Sequence, residues 1–257
     1  PRSSTTSAPD GAPRPARMVR VSDVLDDPLP AGAPDDDASD TVDDGSDGVP
    51  RRPLADRLRE RARRITGPPL CIGGLIVVYV AYFTQRSLDI HHGFGTASYD
   101  SALYDQGVWL LAQGEAPFVT LMGRNLFGDH TSFILLALVP FYWIWPAAGV
   151  LFFAQSAVIG AGAVPVFLYG RRRLGNEWYA LVAAGAYLIH PAIGWTNLEN
   201  FHPDSFLGVF VGFAIYAALE QRWRMYAVFV VLSLLVKEDA SLVIVPLGIW
   251  VGIKRSW

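Results

Sequence analysis

Cysteine is almost absent: Cys71 is the only one in 257 residues. A lone cysteine excludes an intrachain disulfide framework and a cysteine metal cluster. It lies in an apolar run, where it reads as a small buried or lipid-facing residue. Charge is scarce too, at 18% of residues against about 25% in a typical soluble domain. What charge there is crowds into the first quarter, so the net value of −3 says little about partners. No Walker-type loop, G-x-S-x-G elbow or H-E-x-x-H motif is present. No convincing internal repeat appears of the kind that paired-repeat transporters carry. The N-terminus also lacks the basic-then-apolar layout of a signal peptide.

What the chain does have is apolar residues, 51% of the total, arranged after a polar tail. Residues 1 to about 50 are rich in Pro, Ser, Gly and Asp, as in Asp35-Asp36-Asp37 and Asp43-Asp44-Gly45-Ser46-Asp47. Such a segment cannot bury enough surface to offset its ordering entropy and is expected to be disordered. A strongly basic stretch, Arg51–Arg64, follows and stands directly before the first apolar run. Lysine and arginine beside a span stay on the cytoplasmic side and are attracted to anionic lipid. The sequence therefore divides into a cytoplasmic tail, 1–66, and a transmembrane domain, 67–257, with a nucleic-acid role for the basic stretch set aside. The chain starts at Pro1 rather than Met and stops at Trp257 just after an apolar run, which reads as truncation at the C-terminus.

Seven apolar runs are legible, at about 68–86, 131–145, 148–170, 177–194, 205–220, 224–236 and 240–253. A helix of about 20 residues crosses a hydrocarbon core of about 30 Å. Trp143, Trp145, Trp178, Trp195 and Trp223 sit near run ends, as in an interfacial aromatic belt. If all seven runs crossed, Arg171-Arg172-Arg173, Arg222, Arg224, Lys254 and Arg255 would all fall outside. If 131–145 does not cross, all of them fall inside, as the positive-inside rule asks. That run is short and carries Pro140, with Pro146 just after it. The expected fold is thus an all-α polytopic bundle of about six spans plus one re-entrant or membrane-parallel helix.

This topology gathers three polar clusters on the outer side. The loop 87–130 holds Asp100, Asp105, Arg124, Asp129 and His130. A second cluster holds Asn197, Glu199, Asn200, His202 and Asp204. The third is Lys237-Glu238-Asp239. The run Trp223–Val236 reaches only about 21 Å as a helix, so this triplet is expected somewhat below the outer interface, where ionisable groups mark a functional or water-filled site. Tyr99–Glu115 reads as a short amphipathic helix on the membrane surface. Asp100 and Asp105 there could take a proton from a hydroxyl, help hold a divalent cation, or cap the helix as solvated carboxylates. Asp129 and Asp204 suit helix starts, and His130 and His202 can meet a phosphate or a metal. Lys237 can equally pair with its own neighbours, Glu238 or Asp239. The metal requirement stays open.

The series YDSALYDQGVWLLAQGE, GDHTSFILLALVPFYWIWP, VPVFLYGRRRLG, NFHPDSF and LLVKEDASL resembles the DUF2079 family of bacterial membrane proteins over about 80–253. That family in turn looks like a relative of the GT-C glycosyltransferases, of the protein mannosyltransferase and aminoarabinose transferase types. Those enzymes carry an Asp-Glu pair followed by an aromatic residue in an outer loop. Here Asp100 and Tyr104 match, while Ser101 stands in place of the Glu. Their later His-Pro-Pro matches at His130 only, with Thr131 and Ser132 in place of the prolines. The resemblance implies a GT-C-like bundle, a polyprenyl-phosphate sugar as donor, Asp100 as base and Asp105 in support. It also implies that Arg124, His130, His202 or Lys237 meets the donor phosphate. Two other readings stand beside it: a transporter or channel using Lys237, Glu238 and Asp239, and a non-catalytic membrane scaffold.

Overall fold

A computed structural model describes residues 67–96 and 98–255. The expectations for 1–66, a disordered tail and a basic juxtamembrane segment, lie outside the described residues. Helix α1, Gly67–His92, opens on Pro68 and Pro69, residues that fit a first helical turn because its N–H groups have no partner within the helix. It runs on past the expected end at residue 86. Its 26 residues reach about 39 Å.

Helix α2, Ser98–Ala112, follows in the loop 87–130. Next come a minimal hairpin, β1 Phe118–Val119 with β2 Arg124–Asn125, and a 3-10 turn at Leu126–Gly128. The run 131–145 forms no single helix. It is a 3-10 turn at Phe133–Leu138 leading into one α-helical turn, α3, Val139–Tyr142. Such a piece reaches about 18 Å, against a hydrocarbon core of about 30 Å.

Helices α4, Gly149–Ala161, and α5, Ala163–Leu174, join through Gly162, whose φ of −60° and ψ of −20° stay helical. Together they form a 26-residue span that is mostly apolar. Gly175 ends α5 with a left-handed φ of 62°, and Asn176 caps α6, Glu177–Leu188, by accepting from the Trp178 N–H at 2.8 Å. Gly170 allows α5 to approach Ala180 of α6 closely, for a methyl there would meet the Ala180 Cα at 3.4 Å. The run 177–194 then breaks, because the residue before a proline is pushed out of the helical region. His190 is extended at ψ 128°, caps the Ala192 N–H, and starts α7, Pro191–Glu199. Helices α8, Asp204–Leu219, α9, Trp223–Leu234, and α10, Ser241–Arg255, complete the bundle.

Two spans of helix, α1 and α4 with α5, are long and apolar enough to cross a membrane; α8 and α9 are apolar but 16 and 12 residues long. Among the described residues, these two spans meet both the length and the composition that a crossing asks for. Two cores hold the fold. One packs Ile72 and Tyr79 of α1 against Ile159, Phe167, Ala180 and Ala184. The other packs Leu103, Tyr104 and Val108 of α2 against Val119, Leu126, Leu135, Phe152, Phe201 and Phe206. The apolar face of α2 is thus turned into the protein, against the hairpin and α3. A methyl on Gly107 would meet Leu126 at 2.6 Å. The helix expected from the sequence is present, and its apolar face packs on protein.

Candidate active site

Four loops meet above the second core, and the three polar clusters converge there. Asp100 stands in the first turn of α2, and its Oδ2 lies 3.5 Å from Nε2 of His202, on the connection between α7 and α8. Both side chains are a little over a third exposed, at 37% and 38%, so a solute can reach them. Below them Tyr104 is buried, its ring 6.4 Å from that of His202 and 5.5 Å from that of Phe201. Burial raises the Tyr104 pKa, and the Asp204, Asp100 and Asp129 carboxylates push it further up. The phenol therefore stays protonated.

The other predicted residues sit around this pair. Lys237 donates to Asp204 Oδ2 at 2.9 Å and lies 3.9 Å from Asp239. The bond to Asp204 raises the Lys237 pKa and holds its charge. Glu238 ties the α9–α10 connection to the loop between β2 and α3. It accepts from His130 Nδ1–H at 2.8 Å, from the Thr131 N–H at 3.1 Å and from the Thr131 hydroxyl at 3.3 Å. His130 Nε2 lies 3.8 Å from Asp129, which pairs in turn with Arg124 of β2. Asp105 lies apart from the pair and accepts from the Tyr142 hydroxyl at 2.7 Å. Burial, then the Asp105 charge, holds that phenol well above its usual range.

The hydrogen bond from His130 drops the Glu238 pKa from 4.5 to about 2. A depressed carboxylate pKa contributes stability above the ordinary value and loses it as pH falls through the folded one. The clasp between Thr131 and Glu238 is accordingly expected to hold at pH 5 and open as pH approaches about 2. Amide exchange at Thr131 should accelerate over that window, beyond its intrinsic pH dependence. Glu238→Gln should remove the acid-induced step; a step that persists in this variant would assign it to another group.

Among the described residues, no group of three or more His, Cys, Asp or Glu side chains is placed to hold a metal ion. Asp100, Asp105, Asp129, Asp204, Glu238 and Asp239 each already face a histidine, a lysine or arginine, or a hydroxyl. The arrangement suits proton transfer at Asp100 and anion binding beside it better than cation coordination.

An apolar groove of about 640 Å3 begins where the polar cluster stops. Ile134, close after His130 in the chain, and Phe206, close after Asp204, line it with Phe141, Phe153, Phe210 and Leu232. The Ile134 N–H donates to Leu235 O at 2.8 Å, which fixes the groove's wall to the α9–α10 connection.

The sequence reading passed over Gln155 and Ser156. Both are fully buried and reach the segment that carries His202. Two adjacent polar residues within an apolar run were the available signal, since such side chains bond across helices. Tyr142, the partner of Asp105, had no signal beyond its aromatic neighbours.

The comparison with curated proteins and the comparison with solved structures each return no match. The family described as predicted membrane protein (DUF2079) matches residues 91–257, a span that includes every residue of the cluster, and the chain belongs to that family.

Proposed function

We propose that this protein is an integral-membrane glycosyltransferase of GT-C type, acting at the outer face on a polyprenyl-phosphate sugar. The observation that carries the reading is the reachable Asp100–His202 pair, flanked by Lys237 and Arg124 and set beside an apolar groove. Asp100 accepts the proton of an acceptor hydroxyl as its oxygen forms the new bond to the sugar. The bond from the sugar to phosphate breaks, and polyprenyl phosphate leaves with the electron pair. Lys237, Arg124, His130 and His202 offset the charge that grows on that phosphate. Asp204, Glu238 and Asp239 hold these cations in place, and Asp105 supports α2 through Tyr142. The prenyl chain lies along the groove. Lys237 bonds to Asp204 at the first residue of α8 and Glu238 bonds to His130 of the loop before α3, which favours this reading over an ion path through the membrane.

The proposal includes six spans, a cytoplasmic N-terminus and a non-crossing segment at 131–145. A cysteine replacing Arg173, in a Cys71→Ala background, is then expected to react with a membrane-impermeant thiol reagent only in opened or inverted vesicles. Labelling in sealed, right-side-out cells would overturn the topology. The activity itself is tested with the full-length protein in liposomes and labelled polyprenyl-phosphate sugars. Protein-dependent release of sugar from the lipid supports the reading, and its absence across a panel of sugars and acceptors defeats it.

A further inference from the structure

Gln155 lies in the middle of α4, and its side chain is fully buried. A buried amide must have its donors and acceptor met. All its partners lie in one segment. Nε2 donates to the backbone oxygens of Asn200 at 2.9 Å, Asn197 at 3.2 Å and Thr196 at 3.3 Å. Oε1 accepts from the His202 N–H at 2.9 Å and the Ser205 hydroxyl at 3.4 Å. The stretch between the end of α7 and the start of α8 has no helix of its own, so its backbone groups depend on such a partner. Ser156 adds a bond to Asn197 Oδ1 at 3.0 Å, and Asn197 donates to the Tyr79 hydroxyl at 3.2 Å. The His202 backbone is therefore pinned from inside the bundle while its ring meets Asp100 on the outer side. A displacement of about 1 Å is enough to disrupt such a pair.

We propose that Gln155 is the positioning residue of the Asp100–His202 pair. It touches no reacting atom and acts by fixing where the His202 ring stands. The inference rests on the reading that this pair is the working part of the site, yet its test needs no transfer activity, so the two can fail separately.

The test is a double-mutant cycle on the full-length protein in lipid nanodiscs. The readout is the rate at which diethyl pyrocarbonate modifies His202, followed by peptide mass spectrometry at fixed pH, with His130 as the internal reference. In the native background, Asp100→Asn frees the ring and raises the rate by about threefold, the size expected for a half-exposed ion pair. In Gln155→Leu the same Asp100→Asn change is expected to have no effect, because the ring has already left its partner. Gln155→Glu, kept protonated by burial among the three carbonyl oxygens, retains the acceptor for the His202 N–H and one donor for the carbonyls, and is expected to restore the response. If Gln155→Leu does not fold, the shorter Gln155→Asn, which cannot reach both sides of the segment, takes its place. An undiminished Asp100→Asn response in a folded Leu or Asn variant overturns the proposal, as does failure of Gln155→Glu to restore it.

Discussion

Asp100→Asn is expected to lower sugar transfer by about 10²- to 10⁴-fold, the usual contribution of a positioned general base. The substitution keeps the size and shape of the side chain and removes its ability to take a proton. It also removes the charge that faces His202 at 3.5 Å. Substrate binding should change less than turnover, because Arg124 and Lys237, assigned to the donor phosphate, keep their own carboxylates. The loss therefore belongs in kcat more than in KM. Melting temperature should barely move, since a pair this exposed contributes about 1 kcal/mol or less. Asp105→Asn is the informative contrast. Asp105 holds the Tyr142 hydroxyl at 2.7 Å, so its loss should appear in stability more than in rate. The measurement is kcat and KM for both variants in proteoliposomes. Equal activity of Asp100→Asn and the native protein would remove Asp100 from the base role.

Gly162→Val is expected to destabilise the fold by about 2 to 4 kcal/mol, combining overpacking with a lost buried hydrogen bond. Even a methyl at this position would overlap the hydroxyl of Tyr187. That hydroxyl donates to Ile159 O at 2.9 Å, across the junction of α4 and α5. A larger side chain must push Tyr187 aside and leave both groups without each other. Part of the damage should be reversible: Tyr187→Phe removes the clashing oxygen, so the double variant should melt closer to the single Tyr187→Phe protein than Gly162→Val does to the native one. Thermal melting of purified protein in one detergent measures all three. A Gly162→Val protein that melts with the native chain would show that α6 can move away from the junction at little cost.

The local features that the sequence exposed are those that follow from short-range physics. Pro140 lies within a short run and Pro146 just after it, and that run is a broken 3-10 and α-helical piece. The gap between the runs 148–170 and 177–194 holds the end of one helix and the start of the next, at Gly175 and Asn176. The break at His190-Pro191 was not read, because it lies inside an apolar run, where composition masks a change of direction. The orientation of α2 was not legible at all. Leu103, Gly107 and Val108 have the same spacing whether their face meets lipid or protein; what settled the matter was Leu126 and Phe201 arriving from elsewhere in the chain.

The candidate site divides along the same line. Asp100, His130, His202, Asp204, Lys237 and Glu238 are recognisable one by one as polar groups at the ends of apolar runs. Their pairing is not, since His130 meets Glu238 across 108 positions and Ser101 meets Asn200 across 99. The sequence by itself determined a helical membrane protein with its chemistry-bearing residues between apolar runs, because hydropathy and helix breaking act over a few residues. Only the tertiary structure decided which acid faces which base, and that a buried glutamine on α4 holds the His202 segment, because those contacts depend on how distant helices pack.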